Sequence, residues 1–412
     1  MNLLYRVFPA LTQPYYRQFW CSQWLALIGL WMQITAQQWL VYSLTDSALL
    51  LGLLGVAQFG PIMLFSLPAG VFVDRIPKRT LLRWTQTGFM LQAFALAALV
   101  LTDSVNFYNV LILAFIYGCI QTVDTPARQS FIPDLVKAEY LRNAISMNSA
   151  NFNVARMIGP ALAAIIAAAY GTGWLFLING LCMLPVLYVY WHLPVEGRAP
   201  RLAAMHRFTE DIRGGLRYAA DHLPVLSSLL ALAIVSVMSM NQSVFAPLYA
   251  DRVLHEGIAG FGMVTSAMGV GSFTAALISA TSTQGRPSAR LVFGSGLLTG
   301  LALIALALTS DYRWALGACV LFGFFCLTFV INVNTLLQIT TAPELRGRIL
   351  SIYSFVFLGA TPLGNLITGT AIEMMGTANG MIFCGAITVL LLIPIIRHVY
   401  RRMRIDPTIF EN

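Results

Sequence analysis

The stretch GVFVDRIPKR, residues 70–79, lies between two long apolar runs of the chain. Each run holds about 20 mostly apolar residues, enough to cross a hydrocarbon core of about 30 Å as a helix. The stretch itself brings Asp74, Arg75, Lys78 and Arg79 together. Charged side chains are stable at a membrane surface and costly inside it. The pattern therefore predicts two membrane-spanning helices joined by a short charged loop, which we call the signature loop.

The rest of the chain repeats this pattern of apolar runs. Apolar residues make up 58% of the 412 positions and charged residues only 10%, whereas a soluble domain carries about 25% charged residues. Segments of about ten residues with alternating polarity, typical of a membrane β-barrel, do not occur. The composition predicts an all-α polytopic membrane protein in a lipid bilayer. The net charge of +8 then reflects basic loops, and we expect no nucleic-acid partner.

Twelve spans are predicted, and the basic residues orient them. Cytoplasmic loops of membrane proteins are enriched in Lys and Arg. If both termini are cytoplasmic, 22 of the 25 basic residues lie in or beside inner loops, Arg252 and Arg313 lie in outer loops, and Arg156 is the one left over, near the middle of a span. One missed helix would invert every later loop, so this bias supports an even number of spans. The predicted spans cover roughly residues 18–43, 48–72, 81–101, 106–128, 141–169, 173–192, 224–249, 257–281, 290–309, 314–340, 347–373 and 378–396.

The longest loop divides the spans into two equal sets. It covers residues 193–222 and places Phe208, Ile212, Leu216 and Ala219 at helical spacing, which predicts a short amphipathic helix on the cytoplasmic surface. A plain linker and a regulatory or partner-binding segment are both compatible with this pattern. The predicted organisation is an N-terminal six-helix bundle at 1–192, the linker at 193–222, a C-terminal six-helix bundle at 223–402 and a cytoplasmic tail at 403–412.

The two halves also share sequence. A shift of 205 residues aligns nine identical residues within a window of 42 positions, where apolar composition alone would give a few. Weak internal symmetry of this kind is typical of secondary transporters, in which two repeats move around a central site. The first members of the pairs are Glu139, Ser146, Ser149, Phe152, Ala155, Gly159, Gly171, Thr172 and Gly180.

The signature loop resembles the signature of the major facilitator superfamily at this position, with matching Gly70, Asp74, Arg75, Lys78 and Arg79. Pro77 stands where the superfamily usually has glycine, which predicts a stiffer turn. Within the superfamily, NSANFNVARMIGPALAA in the fifth span and APELRGRILSIYSFVFLGATPLGNLITG in the eleventh are similar to bacterial exporters, a branch that includes the enterobactin exporter and some multidrug pumps. The resemblance covers nearly the whole chain. It implies two pseudo-symmetric six-helix bundles in the bacterial cytoplasmic (inner) membrane.

The resemblance also implies a cytoplasmic gate. In the superfamily, the aspartate of the signature loop meets the N-terminus of the eleventh span, here near Glu344 to Arg348. The helix dipole stabilises an exposed carboxylate there by about 0.3–1 kcal/mol. We expect this contact to hold the halves together in the outward-open state, although the basic residues could also serve only to fix topology. The predicted gating residues are Gly70, Asp74, Arg75, Lys78, Arg79, Arg128, Gly159 and Pro160.

Polar side chains inside the spans must find partners or face a cavity. The superfamily places the first, fourth, seventh and tenth spans around a central cavity, and these spans carry most of the amides of this chain. In the fourth span, Tyr117, Gln121, Asp124 and Arg128 lie on one helix face. Each amide alone is equally compatible with a helix–helix hydrogen bond. Asp124, the only carboxylate well inside a span, is the predicted proton carrier. The predicted substrate-binding residues are Gln33, Gln37, Tyr117, Gln121, Arg156, Asn241, Gln242 and Asn332.

Arg156 is the one basic residue that topology does not explain. It is either structural, holding Gln121, Tyr117 or backbone carbonyls, or it faces the cavity and binds an anionic group of the substrate. The rise per residue places Asp124 about 10 Å nearer the cytoplasm, so a direct pair with Arg156 is not expected. The GPALAA that follows resembles a degenerate exporter motif with two alanines in place of glycines, which favours a role in conformational coupling.

Together these features predict a transporter and not an enzyme. The chain has no P-loop, its five histidines are scattered, and its cysteines form no CxxC, so we expect neither ATP nor a metal or cofactor to be used directly. The predicted function is export of a small organic molecule, siderophore-like, drug-like or an amphipathic metabolite. The transporter would be a monomer that works by alternating access with proton antiport. An importer or a lipid-related flippase of the same fold is the alternative.

Overall fold

The computed structural model describes residues 8–73, 75–197, 208–281 and 287–405. Regular structure in these ranges is helical, with no β-strand, and two short 3-10 helices cover Pro9–Thr12 and Ala138–Tyr140. The α-helices are α1 (Pro14–Thr45), α2 (Ala48–Val73), α3 (Lys78–Leu101), α4 (Phe107–Leu135), α5 (Leu141–Tyr170), α6 (Thr172–His192), α7 (Phe208–Asp221), α8 (Leu223–Met238), α9 (Gln242–Arg252), α10 (Gly257–Thr281), α11 (Ala289–Ala307), α12 (Tyr312–Thr340), α13 (Pro343–Met375) and α14 (Thr377–Ile405).

The number of membrane-spanning segments follows from length and hydropathy. Eleven segments of the described chain are long and apolar enough to cross a membrane, and one of them is formed by α8 and α9 together. The remaining long helix, α1, has 32 residues but is less apolar because it carries Arg17 and several glutamines. With α1 counted, the spans number twelve, and the predicted all-α membrane fold is confirmed.

The seventh span is broken, which its sequence did not indicate. Ser239 to Asn241 separate α8 from α9, and polar side chains replace the lost helical hydrogen bonds. Asn241 Nδ2 donates to Val237 O at 2.7 Å and to Thr368 Oγ1 at 2.9 Å, while the hydroxyls of Ser239 and Thr388 lie 2.7 Å apart. A break inside a membrane is tolerated where the freed backbone groups find partners, and Asn241 supplies one to Val237 O.

The last helix, α14, extends nine residues beyond the predicted end of the twelfth span, to Ile405. Val399 is buried and Met403 packs against the same core, while Arg401 and Arg402 are exposed. The apolar face of this extension is therefore covered by protein, and the hydropathy of the stretch alone could not reveal it.

The internal repeat is visible in the backbone. Gly171 ends α5 with φ 84° and ψ 168°, and Gly376 ends α13 with φ 82° and ψ 163°. Their amides donate to Ala167 O and Ile372 O, which are themselves 205 residues apart. A positive φ of this size favours glycine, which explains why both halves keep it at this corner.

The described chain packs as two compact units. The first comprises the described residues within Met1–Thr45 and Ala57–Ala203, and the second those within Asp46–Val56 and Ala204–Asn412. Helix α2 thus begins in the second unit and continues in the first. In the first unit, the rings of Phe19, Phe131 and Tyr190 form an aromatic cluster with centroids 6.1–6.4 Å apart. In the second, α7 lies on α13, where Gly215 faces Ile352.

Candidate functional site: a polar cavity in the first unit

A small polar cavity lies among α1, α3, α4 and α6 of the first unit. Its volume is about 30 Å³, enough for one water molecule but not for an organic substrate. Four of its lining residues come from the predicted polar face of α4, so the structure does bring that face together around one site. The polar lining residues are Gln23, Gln33, Gln86, Tyr117, Gln121, Asp124, Arg128 and Asn179.

Asp124 is the most strongly bonded residue of the cavity. Its side chain is almost fully buried, with a residue exposure of 1%. Oδ1 accepts hydrogen bonds from Thr85 Oγ1 at 2.7 Å and from Gln86 Nε2 at 2.9 Å, and Oδ2 lies 3.4 Å from Arg128 Nε. A buried carboxylate is costly unless it is paired and hydrogen-bonded. Three donors thus compensate the burial of this carboxyl group.

Arg128 links this carboxylate to the aromatic cluster of Phe19, Phe131 and Tyr190. Its Nη1 donates to Gln23 Oε1 at 3.5 Å, and Gln23 Nε2 donates to the Tyr190 hydroxyl at 3.4 Å. Polar contacts therefore run from Asp124 through Arg128 and Gln23 to Tyr190. They connect α4, α1 and α6.

The remaining residues of the α4 face are less tightly held. Tyr117 is half-buried and packs against Phe89, with ring centroids 5.1 Å apart. Gln121 donates to Thr125 Oγ1 at 3.0 Å, one turn along the same helix. The amide of Gln121 is thus bonded within its own helix and can turn toward the cavity without breaking a contact between helices.

Gln33 and Gln37, the predicted amides of the first span, are engaged in helix packing. Gln33 is 2% exposed, donates to Gln92 Oε1 at 2.9 Å and accepts from Asn179 Nδ2 at 2.7 Å, which ties α1 to α3 and α6. Gln37 Oε1 accepts from Gln58 Nε2 at 3.1 Å. Only Gln33 of the two lines the cavity.

Arg156 lies elsewhere in the first unit, outside the cavity lining. Its side chain is half-buried, with the guanidinium carbon 5.6 Å from the ring centroid of Trp31. Trp31 also packs edge-on against Phe152 at 5.5 Å. A guanidinium over a tryptophan face is attracted by the ring quadrupole. The structure gives this arginine an aromatic neighbour in α1.

Gly159 and Pro160 mark a close approach of α5 to α1, and both are buried. A Cβ at Gly159 would lie 2.5 Å from Trp31 Cβ and 3.3 Å from Ile28 O. Its repeat counterpart Gly364 meets the seventh span in the same way, where a Cβ would lie 2.6 Å from Val237 O. Both repeats therefore use this glycine for helix contact.

The basic residues of the signature loop anchor the start of α3. Lys78 Nζ donates to Ser130 O at 2.9 Å and pairs with Asp134 at 3.2 Å. Arg79 donates to Leu193 O and lies 3.4 Å from Glu196. These contacts bind α3 to the ends of α4 and α6, a role that topology alone did not predict. Of the other predicted gating residues, Arg75 is exposed, Gly70 lies within α2, and Asp74 lies outside the described residues.

The predicted binding residues of the second unit lie in or beside α9 and α12. Asn241 is the N-cap residue that precedes α9; it is 1% exposed and bonded as described to Val237 and Thr368. Gln242 is half-buried in the first turn of α9. Asn332 is nearly buried and donates to Thr328 O at 2.7 Å within α12.

Comparison with known proteins decides the family. Residues 6–408 match the sequence profile of the family described as transmembrane secretion effector. The chain belongs to this family of major facilitator transporters. The predicted resemblance is confirmed, and so is the prediction that the chain is a transporter and not an enzyme.

Named relatives and solved structures agree with this assignment. The transporter is 22% identical to the staphyloferrin A transporter of Staphylococcus aureus over 382 residues, 90% of this chain and 93% of the relative. It is 26% identical to the multidrug efflux pump Tap of Mycolicibacterium fortuitum over 357 residues, 83% of this chain and 85% of the relative. Its fold is similar to a bacterial homologue of the lysosomal transporter Spinster (TM-score 0.71, 15% identity, 93% and 96% coverage) and to a D-xylose–proton symporter (TM-score 0.73, 14% identity, 92% and 97%).

Several residues of the site were not predicted from the sequence. Gln23, Thr85, Gln86 and Gln92 lie in the first and third spans and supply hydrogen bonds to the residues above. A signal was present, because each is a polar residue within an apolar run. The resemblance does not place the third span around the central cavity, so it gives no reason to expect Thr85, Gln86 and Gln92 at this site.

Proposed function

We propose that this transporter exports a small organic molecule from the bacterial cytoplasm across the inner membrane, by alternating access and in exchange for protons. The buried ion pair of Asp124 and Arg128 carries the proposal, because an ionisable pair inside a membrane protein is expensive and is typical of ion pathways. The membrane potential supplies about 2.3 kcal/mol per charge per 100 mV to such a cycle.

Asp124 is the proposed proton carrier. Protonation removes the charge that holds Arg128 and turns one carboxylate oxygen from acceptor to donor. Arg128 is then free to strengthen its contact with Gln23 on α1, so proton binding on α4 is transmitted to another helix. The cavity beside Asp124 is large enough for a water molecule that delivers the proton.

The substrate is proposed to bind beyond this small cavity, in a state that opens it. Tyr117 and Gln121 support a contact from α4, because neither is held by a side chain of another helix except through ring packing. Arg156 over Trp31 offers a cation and an aromatic face to an anionic or planar group. A substrate-binding role stays a prediction for the other five residues: Gln33, Gln37, Asn241, Gln242 and Asn332.

The gate of the proposed cycle is the signature loop. Asp74 is proposed to meet the start of α13 when the cytoplasmic face closes, with Arg75 and Arg128 nearby. The anchoring of Lys78 and Arg79 within the first unit supports this, because these residues follow Asp74 by only four and five positions in the sequence. The moving bodies are proposed to be the two repeats, 1–192 and 223–402, within one monomer.

Export and the nature of the substrate can be tested with purified protein in proteoliposomes. Two probes represent the two named relatives: ethidium, a drug-like cation, and staphyloferrin A, a polycarboxylate. We expect the probe to accumulate in the acidic compartment, because protons leave that compartment in exchange for the probe. Accumulation down the imposed proton gradient, in the same direction as the protons, would indicate an importer instead.

A further inference from the structure

Helices α2 and α13 are joined by a capping contact at the end where α2 begins. Glu373, close to the end of α13, accepts hydrogen bonds from the amides of Ala48 at 2.8 Å and Leu49 at 3.4 Å. It also accepts from Ser47 Oγ at 3.2 Å, while Ser47 Oγ itself caps Leu50 N. The first amides of a helix have no intrahelical partners, and the helix dipole favours a carboxylate there. Glu373 thus supplies to α2 a cap that comes from another helix.

A second ionic contact holds the same turn. Arg252, the last residue of α9, donates through Nη2 to Asp46 O at 2.6 Å and to Asp46 Oδ1 at 2.8 Å. Asp46 lies two residues before α2 and has a positive φ of 46°. The entry into α2 is therefore held from α13 by Glu373 and from α9 by Arg252.

Close backbone packing lies directly below these two contacts. A Cβ at Gly52 of α2 would lie 2.7 Å from Asn365 O, and a Cβ at Gly369 of α13 would lie 2.6 Å from Ala48 O. At both points a glycine of one helix faces the backbone of the other. Glu373 is exposed, so its hydrogen bonds can be exchanged for water at small net cost. The capping contact of Glu373 can therefore separate and reform at small cost.

We propose that Glu373 is a gating residue of the outer face, which holds the start of α2 on α13 while that face is closed and releases it on opening. The inference rests on the proposed alternating-access function. The two helices would then cap each other at opposite ends. Glu373, near the end of α13, caps the start of α2. Asp74, which follows the end of α2 in the sequence, is expected to cap the start of α13. Each face of the transporter then closes when a carboxylate of one helix caps the other.

Hydrogen–deuterium exchange of the full chain in lipid nanodiscs tests this role. Glu373→Ala should speed exchange of the first-turn amides of α2, residues 48–51, by about three- to tenfold, as expected for loss of a cap. Glu373→Gln keeps an acceptor but loses the charge, and should give an intermediate effect. The decisive readout is distant: residues 345–348 at the start of α13 should become more protected, because release of the outer face favours closure of the inner one.

Asp311→Ala is the matched control. Asp311 caps its own helix, α12, by accepting from Arg313 N at 3.0 Å and Trp314 N at 3.2 Å. Its loss should speed exchange only there. If Glu373→Ala acts only on residues 48–51, or on neither segment, Glu373 is not a gating residue. Exchange needs no substrate, so failure of the export assay together with the exchange changes expected above would overturn proton-coupled export and leave the gate of the alternating-access cycle standing.

Discussion

Arg128 Nε lies 3.4 Å from Asp124 Oδ2, one turn further along α4, and the other carboxylate oxygen of Asp124 accepts from Thr85 and Gln86. The Asp124 side chain is 2% exposed and the Arg128 side chain is 17% exposed, so the carboxylate is the more buried of the two charges. Removing one partner of such a pair is destabilising because it leaves the other charge buried without compensation. The pair is therefore both a structural element and the site at which a proton would change the balance of charge.

Arg128→Met should destabilise the protein. It leaves the Asp124 carboxylate with neutral donors only, at a cost on the order of 3 kcal/mol. Thermal unfolding of the purified protein should show a clearly lower Tm, and the double variant Asp124→Asn/Arg128→Met should recover most of the loss. A Tm of Arg128→Met equal to that of the wild type would mean that the pair contributes little.

Arg156→Ala should weaken binding of the anionic probe staphyloferrin A at least tenfold, because it removes the cation over Trp31. Arg156→Lys should bind more weakly than the wild type but better than the alanine variant, since lysine keeps the charge but lacks the planar group that stacks on a ring. Equilibrium binding to purified protein measures this. Retained binding together with lost transport would instead assign Arg156 to conformational coupling.

Gly159→Ala should destabilise the contact of α5 with α1. The new methyl group would lie 2.5 Å from Trp31 Cβ, and overpacking of this kind costs about 1–3 kcal/mol. Gly317→Ala in α12 is the matched control, because a Cβ there meets nothing within 4 Å, and alanine should be neutral or stabilising by about 0.4–1 kcal/mol. Equal Tm values for the two variants would argue against a tight α1–α5 contact.

Asp74→Asn should insert into the membrane normally but lose most transport, because an amide lacks the charge that a helix dipole would favour in the proposed contact with the start of α13. Quantified expression in membrane fractions and transport by the same preparations measure the two effects separately. Unimpaired transport at normal expression would show that the signature loop serves topology alone.

The twelve spans and the repeat could be predicted because both depend on local properties. Hydropathy over about 20 residues locates a span, and a shift of 205 residues pairs Gly171 with Gly376, which share one backbone conformation. The polar face of α4 was likewise available from helical spacing, and its four residues do line one cavity. Such features need only the order of residues along one helix.

The partners of these residues could not be predicted in the same way. Gln33 bonds Gln92 and Asn179, which are 59 and 146 residues away, and many amides in the spans would have fitted equally well. The break between α8 and α9 depends on Thr368 and Thr388, which reach it from other helices. Contacts of this kind depend on how helices are rotated and packed, which periodicity alone does not determine.

Proton-coupled transport through Asp124 is the central claim, and the most direct test is substrate flux under an imposed pH gradient. Asp124→Asn should abolish gradient-driven accumulation of the transported probe while leaving its exchange between compartments at equal pH intact. Asp103→Asn serves as control, since Asp103 is exposed in a loop with a positive φ of 53°, a conformation that asparagine also adopts. Gradient-driven accumulation by Asp124→Asn at the wild-type level would contradict the account.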